Sequence, residues 1–316
     1  MPYRIVKRDI TKIKTDAIVN ITNPLPVCVP GDEMDLYIEA GAERMLQERM
    51  SLGVIKRGEA KSSEGFDLKA GYVIHTAGPL WDKHSDGLPK ELKQCYVSSF
   101  KEAIRLNCKS VAIPLIGSNV YGYTKGELVN AAMEEIICFL STEDMLIYLV
   151  VKDVEAFSVS SKLAEELDKL ISKVDETEEE SVLFFKNNQR NDNLDKFANA
   201  EDESFGDKII RLMAERNLIE ADIYKEANVD RRLFSSIRCN GRKKIKKETA
   251  LALIVAMKLN IDESEDLLKR AGYALSPSYK FDRIVRYFIE NNDYRMREIN
   301  EALFKYTGKN LGYFEI

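Results

Sequence analysis

Three stretches of this chain carry residue types that could do chemistry: Asp9-Ile10, Asn20 to Glu33, and Gly117 to Tyr123. Each leaves the end of a candidate strand. The third is the most informative. Val111 to Ile116 reads as a buried strand and Gly117-Ser118-Asn119 as a turn of small residues; Leu128, Ala132 and Ile136 then restart an apolar face at helical spacing. Strand, small-residue loop and helix bring backbone N–H groups and a helix N-terminus to one point, which suits a phosphate. The same residues also describe an ordinary tight turn, and Asp9 alone reads as an Asx-turn or helix cap. A fourth stretch offers different chemistry. Arg231 to Lys247 holds eight bases (Arg231, Arg232, Arg238, Arg242, Lys243, Lys244, Lys246, Lys247) and no acid. In an acidic chain that is a local footprint for phosphate contact. A solvated basic loop in a protein-binding helical module would carry the same charges.

Composition bounds the rest. At 316 residues the chain can hold two domains, and a net charge of −5 excludes general affinity for nucleic acid, so any such affinity must sit in a patch. Five scattered cysteines without a C-x-x-C pair, and two histidines, exclude a disulfide framework and a zinc site and read as reduced thiols. The first residues lack an apolar signal core, and no run reaches transmembrane length. The expectation is a cytoplasmic protein with no membrane contact, no metal and no cofactor.

The elements that must position these residues alternate. Strands are expected at Tyr3–Val6, Asp16–Asn20, Gly71–Ala77, Val111–Ile116 and Leu146–Val151, and helices at Glu33–Met50, Glu91–Leu106, Glu127–Leu140 and Ser160–Lys173. That order predicts a three-layer α/β/α domain with a mixed, largely parallel sheet, whose ligands bind at the carboxyl ends of strands.

At these residues a resemblance enters. "DI-T", "DAIVN" with Asn23 beyond it, "YVIHTAGPLW" and "IPLIGSNVYGY" resemble the macrodomain family in order and spacing, over roughly Met1 to Val174. The resemblance implies binding of ADP-ribose or a derivative. It places Asp9, with Ile10 beside it, on the adenine amino group, for which a carboxylate is the fitting acceptor. It places Asn23 on the distal ribose, and wraps the diphosphate in Gly117, Ser118, Asn119, Val120, Tyr121, Gly122 and Tyr123, with Tyr123 against the distal ribose. Either tyrosine reads equally as a core aromatic, and Asn20 as a structural amide bonding local backbone. Many members carry a glycine run where this chain has Cys28-Val29-Pro30-Gly31, so only Gly31 survives, and Pro30 removes a donor. Hydrolytic members position water with an asparagine and an acid, which makes Asn23 and Glu33 the candidates here, with Asp32 a lesser one. The substituted loop favours a binder over a hydrolase, and no catalytic residue is assigned.

Beyond the sheet domain (1–174), residues 175–203 carry ten acids against three bases and read as a flexible acidic linker. Residues 204–275 turn helical, with a tight turn at Asn228 and a good N-cap in Asp230. "Ala227-Asn228-Val229-Asp230" and the helix to Ile237 resemble the helix-turn-helix domains of phage-repressor-type regulators. The resemblance implies DNA contact through Arg231, Arg232, Ser235, Arg238, Arg242, Lys243 and Lys244. Residues 276–316 add two amphipathic helices whose apolar faces must bury on the preceding bundle or on a second copy, as in a homodimer. Three functions stay open: a ligand-responsive transcription regulator reading an ADP-ribose-type signal, as in bacterial defence; an ADP-ribosyl hydrolase; and a protein-binding adaptor.

Overall fold

The computed structural model describes residues 3–79, 88–118, 123–152, 161–175, 203–239 and 244–312. The chain forms two compact units, one running to Ser158 and the other from Val159 to Tyr313.

The first unit is a six-stranded mixed sheet with helices on both sides, in the order β1-β6-β5-β2-β4-β3. The strands are β1 (Tyr3–Lys7), β2 (Ala17–Thr22), β3 (Ala60–Glu64), β4 (Tyr72–Ala77), β5 (Ser110–Pro114) and β6 (Leu146–Val151). All pairings are parallel except β3 against β4. The central strands are buried and mostly apolar on both faces, as a covered parallel sheet requires, with Asn20 and Thr22 the polar residues of β2. The helices are α1 (Asp32–Ala40), α2 (Ala42–Ser51), α3 (Lys90–Arg105) and α4 (Lys125–Thr142). The single helix expected over Glu33–Met50 is two helices. Gly41 sits between them at φ 90°, a left-handed conformation that ends one helix and reorients the next. Strand β3 was not expected. Its sequence, AKSSE, offers no apolar alternation because it is an edge strand with one pairing partner.

The second unit is all helical: α5 (Ser161–Asp175), α6 (Phe205–Glu215), α7 (Glu220–Glu226), α8 (Arg231–Cys239), α9 (Lys247–Ala256), α10 (Ile261–Arg270), α11 (Lys280–Glu290) and α12 (Met296–Thr307). Helix α9 is its buried centre, with every residue from Thr249 to Ala256 out of solvent. The C-terminal stripes, Ile284, Val285, Phe288 and Ile289 on α11 and Met296, Ile299 and Leu303 on α12, bury in this core.

Helix α5 differs from expectation. Its Leu167 and Ile171 join the helical core rather than the sheet, Tyr306 Oη donates to the Ala164 carbonyl at 3.4 Å, and Tyr287 and Arg283 bond Glu166 and the Leu170 carbonyl. An amphipathic helix records that one face is buried, and not against what. In chain order the acidic stretch therefore joins two helices of one unit; it lies outside the described residues, as does Leu183-Phe184-Phe185.

Among the described residues no helix is long and apolar enough to cross a membrane, and no cluster of His, Cys, Asp and Glu could hold a metal.

Candidate functional site

A cleft of about 830 Å³ opens at the carboxyl ends of β1, β2, β4, β5 and β6, within the range of pockets that enclose a small ligand. Asp9, Ile10, Asn23, Gly117 and Ser118, five residues proposed from sequence, line it together. Gly31 lies between Pro30 and Asp32, which also line it. Tyr123 is half-buried and is not among the described lining residues; Asn119, Val120, Tyr121 and Gly122 lie outside the described residues.

Of the two roles that its sequence left open, Asp9 fills the cap. Its Oδ1 accepts from the Thr11 N–H at 2.9 Å and the Thr11 hydroxyl at 2.8 Å, capping the 3-10 turn Ile10–Lys12. Among the described residues Oδ2 takes no protein donor, so capping leaves one carboxylate oxygen for a ligand in the cleft. Gly117 has φ 89°, which only glycine adopts cheaply, and lets the chain leave β5 in a turn closed by Ser118 N–H to the Leu115 carbonyl at 3.3 Å. Gly31 has φ 116° and ψ −146° at the N-cap of α1, with no side-chain cap on the helix's first N–H groups.

Glu33, the candidate acid, is buried at 6 % exposure and heavily bonded. Its Oε1 accepts from the Thr22 hydroxyl at 2.5 Å, the Tyr37 hydroxyl at 3.3 Å and Asn20 Nδ2 at 3.4 Å, and its Oε2 accepts from the Val29 N–H at 3.0 Å. The carboxylate closes the loop that replaces the glycine run. Burial first, and then this carboxylate, raise the Tyr37 phenol well above its ordinary value.

Asn20 was expected to bond local backbone. It bonds side chains instead: Glu33, and His75 Nδ1 at 3.2 Å. A carboxylate only accepts, so the amide nitrogen must face it and His75 Nδ1 must accept from the same group. The His75 proton then sits on Nε2 and is donated to Ser63 Oγ at 2.9 Å. Burial, and the Arg49 cation after it, push the imidazole down to about 3.

Sequence reasoning missed several residues. Lys152, at the end of β6, lines the cleft and pairs with Asp32 at 2.7 Å; the strand-end rule would have found it. Arg57 also lines the cleft, donating to the Gly78 carbonyl at 2.9 Å, and no local pattern marks it. Thr124 and Glu127 form a capping box that starts α4 at Lys125, earlier than periodicity suggested, and T-x-x-E is its signature.

In the helical unit, α7 and α8 are joined by a tight turn with Asn228 at φ 56°, and Asp230 Oδ1 caps α8 through the N–H groups of Arg232 (2.7 Å) and Leu233 (3.3 Å). Phe234 and Ile237 face inward; Arg231, Arg232 and Arg238 are exposed and Ser235 is half-buried. Arg238 is engaged by Glu220 of α7 at 2.9 Å, and Lys247 by the buried Asp282 at 2.5 Å, so both serve structural pairs. Lys244 is exposed, while Arg242 and Lys243 lie outside the described residues.

The family model for the Macro domain matches residues 27–132. A macro domain-containing protein of Mesorhizobium japonicum is 37% identical over 142 residues, 45% of this chain and 80% of the relative. An O-acetyl-ADP-ribose deacetylase of Cronobacter turicensis is 32% identical over 169 residues, 52% of this chain and 96% of the relative. A solved Oceanobacillus iheyensis macrodomain with ADP is 30% identical, covering 54% of this chain and 91% of its own, at a TM-score of 0.44. With that identity running over four-fifths of a relative's length, this chain belongs to the macrodomain family.

Proposed function

We propose that the cleft binds an ADP-ribose-type nucleotide and that the helical unit binds DNA, so that the chain is a ligand-responsive regulator. The observation that carries the first half is the cleft itself, in which Asp9, Asn23 and the Gly117-Ser118 turn are gathered from three separate strand ends. Asp9 Oδ2 is the acceptor for the adenine amino group, and the N–H groups around Gly117 and at the start of α1 are donors for the diphosphate. For the second half, Arg231 and Arg232 stand exposed at the start of a helix that follows a tight turn, where a recognition helix meets a groove. The ligand class fits a nucleotide signal such as one made by NAD-consuming enzymes of bacterial defence.

A second reading is hydrolysis of an ADP-ribosyl bond. It is favoured by the likeness to the deacetylase of Cronobacter turicensis. Against it stands Glu33, whose two oxygens are already taken by four donors, leaving a poor general base. The test is calorimetry with ADP-ribose, followed by a turnover assay on an ADP-ribosylated substrate. Binding without turnover supports the reader; turnover supports the hydrolase.

A further inference from the structure

Arg49, on α2, is the largest fully buried side chain in the described protein, at 0 % exposure. A buried guanidinium is expensive unless it is paired or saturated with hydrogen bonds. Among the described residues Arg49 makes no ion pair. It donates instead to four carbonyls, those of Gly53 at 2.7 Å, Asn23 at 2.8 Å, Leu25 at 3.3 Å and Pro24 at 3.4 Å, and to the Thr22 hydroxyl at 3.3 Å. Three of those carbonyls are consecutive and all face Nη2, so the backbone from Asn23 to Leu25 is curled around one guanidinium nitrogen.

We propose that Arg49 is a positioning residue that sets the ribose selectivity of the cleft, by fixing the turn that carries Asn23. The proposal rests on the nucleotide reading above, in which Asn23 meets the distal ribose. Within the turn, Asn23 Oδ1 accepts from the Leu25 N–H at 3.1 Å, so backbone and side chain are held as one piece. The hold extends across the loop. Thr22 takes the Arg49 Nε hydrogen and passes its own to Glu33, whose other oxygen holds the Val29 N–H. Arg49 thereby anchors both ends of the segment from Asn23 to Val29.

Packing alone does not call for this arrangement, since an apolar side chain of similar volume avoids the desolvation cost. The planar fork reaches Thr22 through Nε, Gly53 through Nη1 and the three consecutive carbonyls through Nη2, a spread that the point-like ammonium of a lysine does not span. The geometry therefore serves the shape of the turn.

The test compares ADP-ribose with ADP, which lacks the distal ribose, by calorimetry on the full chain. Arg49→Lys should weaken ADP-ribose binding about tenfold, the loss of one well-made hydrogen bond, while ADP changes less than about twofold. Asn23→Ala should show the same selective loss, and the double variant little more than either single one, because both act through the same hydrogen bond to the ribose. Thermal unfolding follows the fold, and Arg49→Gln, with the same selective loss expected, stands in should the lysine variant not fold. Equal losses on both nucleotides, or an unchanged ADP-ribose affinity, would overturn the positioning role. Wild-type protein that binds neither nucleotide would overturn the nucleotide reading and this proposal with it.

Discussion

Asn20 and His75 are register partners on the neighbouring parallel strands β2 and β4, and the amide of the one lies 3.2 Å from the ring nitrogen of the other. Opposite residues on paired strands share a face, so this contact is set by the sheet. It places the imidazole between Asn20 and Ser63 with the carboxylate of Glu33 beyond, a continuous buried chain under the cleft.

That chain makes stability depend on acid. Above the unfolded value of 6.5, His75 is neutral in both states and contributes nothing to the pH dependence. Below it the unfolded chain takes up a proton that the native state, with its value pushed down to about 3, refuses. Stability from this group should fall by about 2 kcal/mol between pH 7 and pH 5. Urea unfolding at those two pH values should show the drop in wild type and its loss in His75→Gln. Parallel pH profiles would mean that the histidine is protonated in the fold.

Asp9→Ala should weaken ADP-ribose binding by roughly 1–3 kcal/mol, the cost of leaving a buried amino donor unpaired. The Thr11 cap is lost with it, so thermal unfolding is measured alongside. A small drop in melting temperature with unchanged nucleotide affinity would leave Asp9 as a cap alone.

Turnover of ADP-ribosylated substrates should be slow or absent. Val29-Pro30 stands where glycines would approach the ligand, and Glu33 is occupied in holding that loop. Robust multiple turnover, abolished by Glu33→Ala or Asn23→Ala, would make the hydrolase the better reading.

Duplex DNA should bind with strong salt dependence. Replacing Arg231, Arg232 and Lys244 by Gln should lower the steepness of the log–log salt plot, by about 0.9 for each phosphate that is no longer neutralised. Glu220→Gln, which releases Arg238 from its ion pair, should strengthen binding. Affinity indifferent to both changes would move the helical unit to the adaptor reading.

Much of the sheet unit was legible because buried parallel strands are short apolar runs, and because the strand-end loops carry polar residues that the core would not keep. The split of the helix over Glu33–Met50 was also written in Gly41, although glycine inside a helical pattern is ambiguous between a cap and a tolerated interruption. Strand β3 was not legible, since an edge strand needs no apolar face. The partners of Asn20 and Arg49 were invisible for a different reason. Apart from the Gly53 carbonyl, four residues beyond Arg49, these partners lie 13 to 55 residues away along the chain, where spacing carries no information.

The placement of α5 has a practical consequence for anyone cutting this protein. A fragment ending at Asp175 keeps the helix but strips its partners, leaving Leu167 and Ile171 facing water, and should be prone to aggregate. A fragment beginning at Ser204 lacks the same helix and opens its core. Fragments divided just after Ser158 should behave better on both sides. A single break introduced in the acidic stretch, by contrast, should yield two bands on a denaturing gel and one particle on a native column, because α5 would still be gripped by α11 and α12.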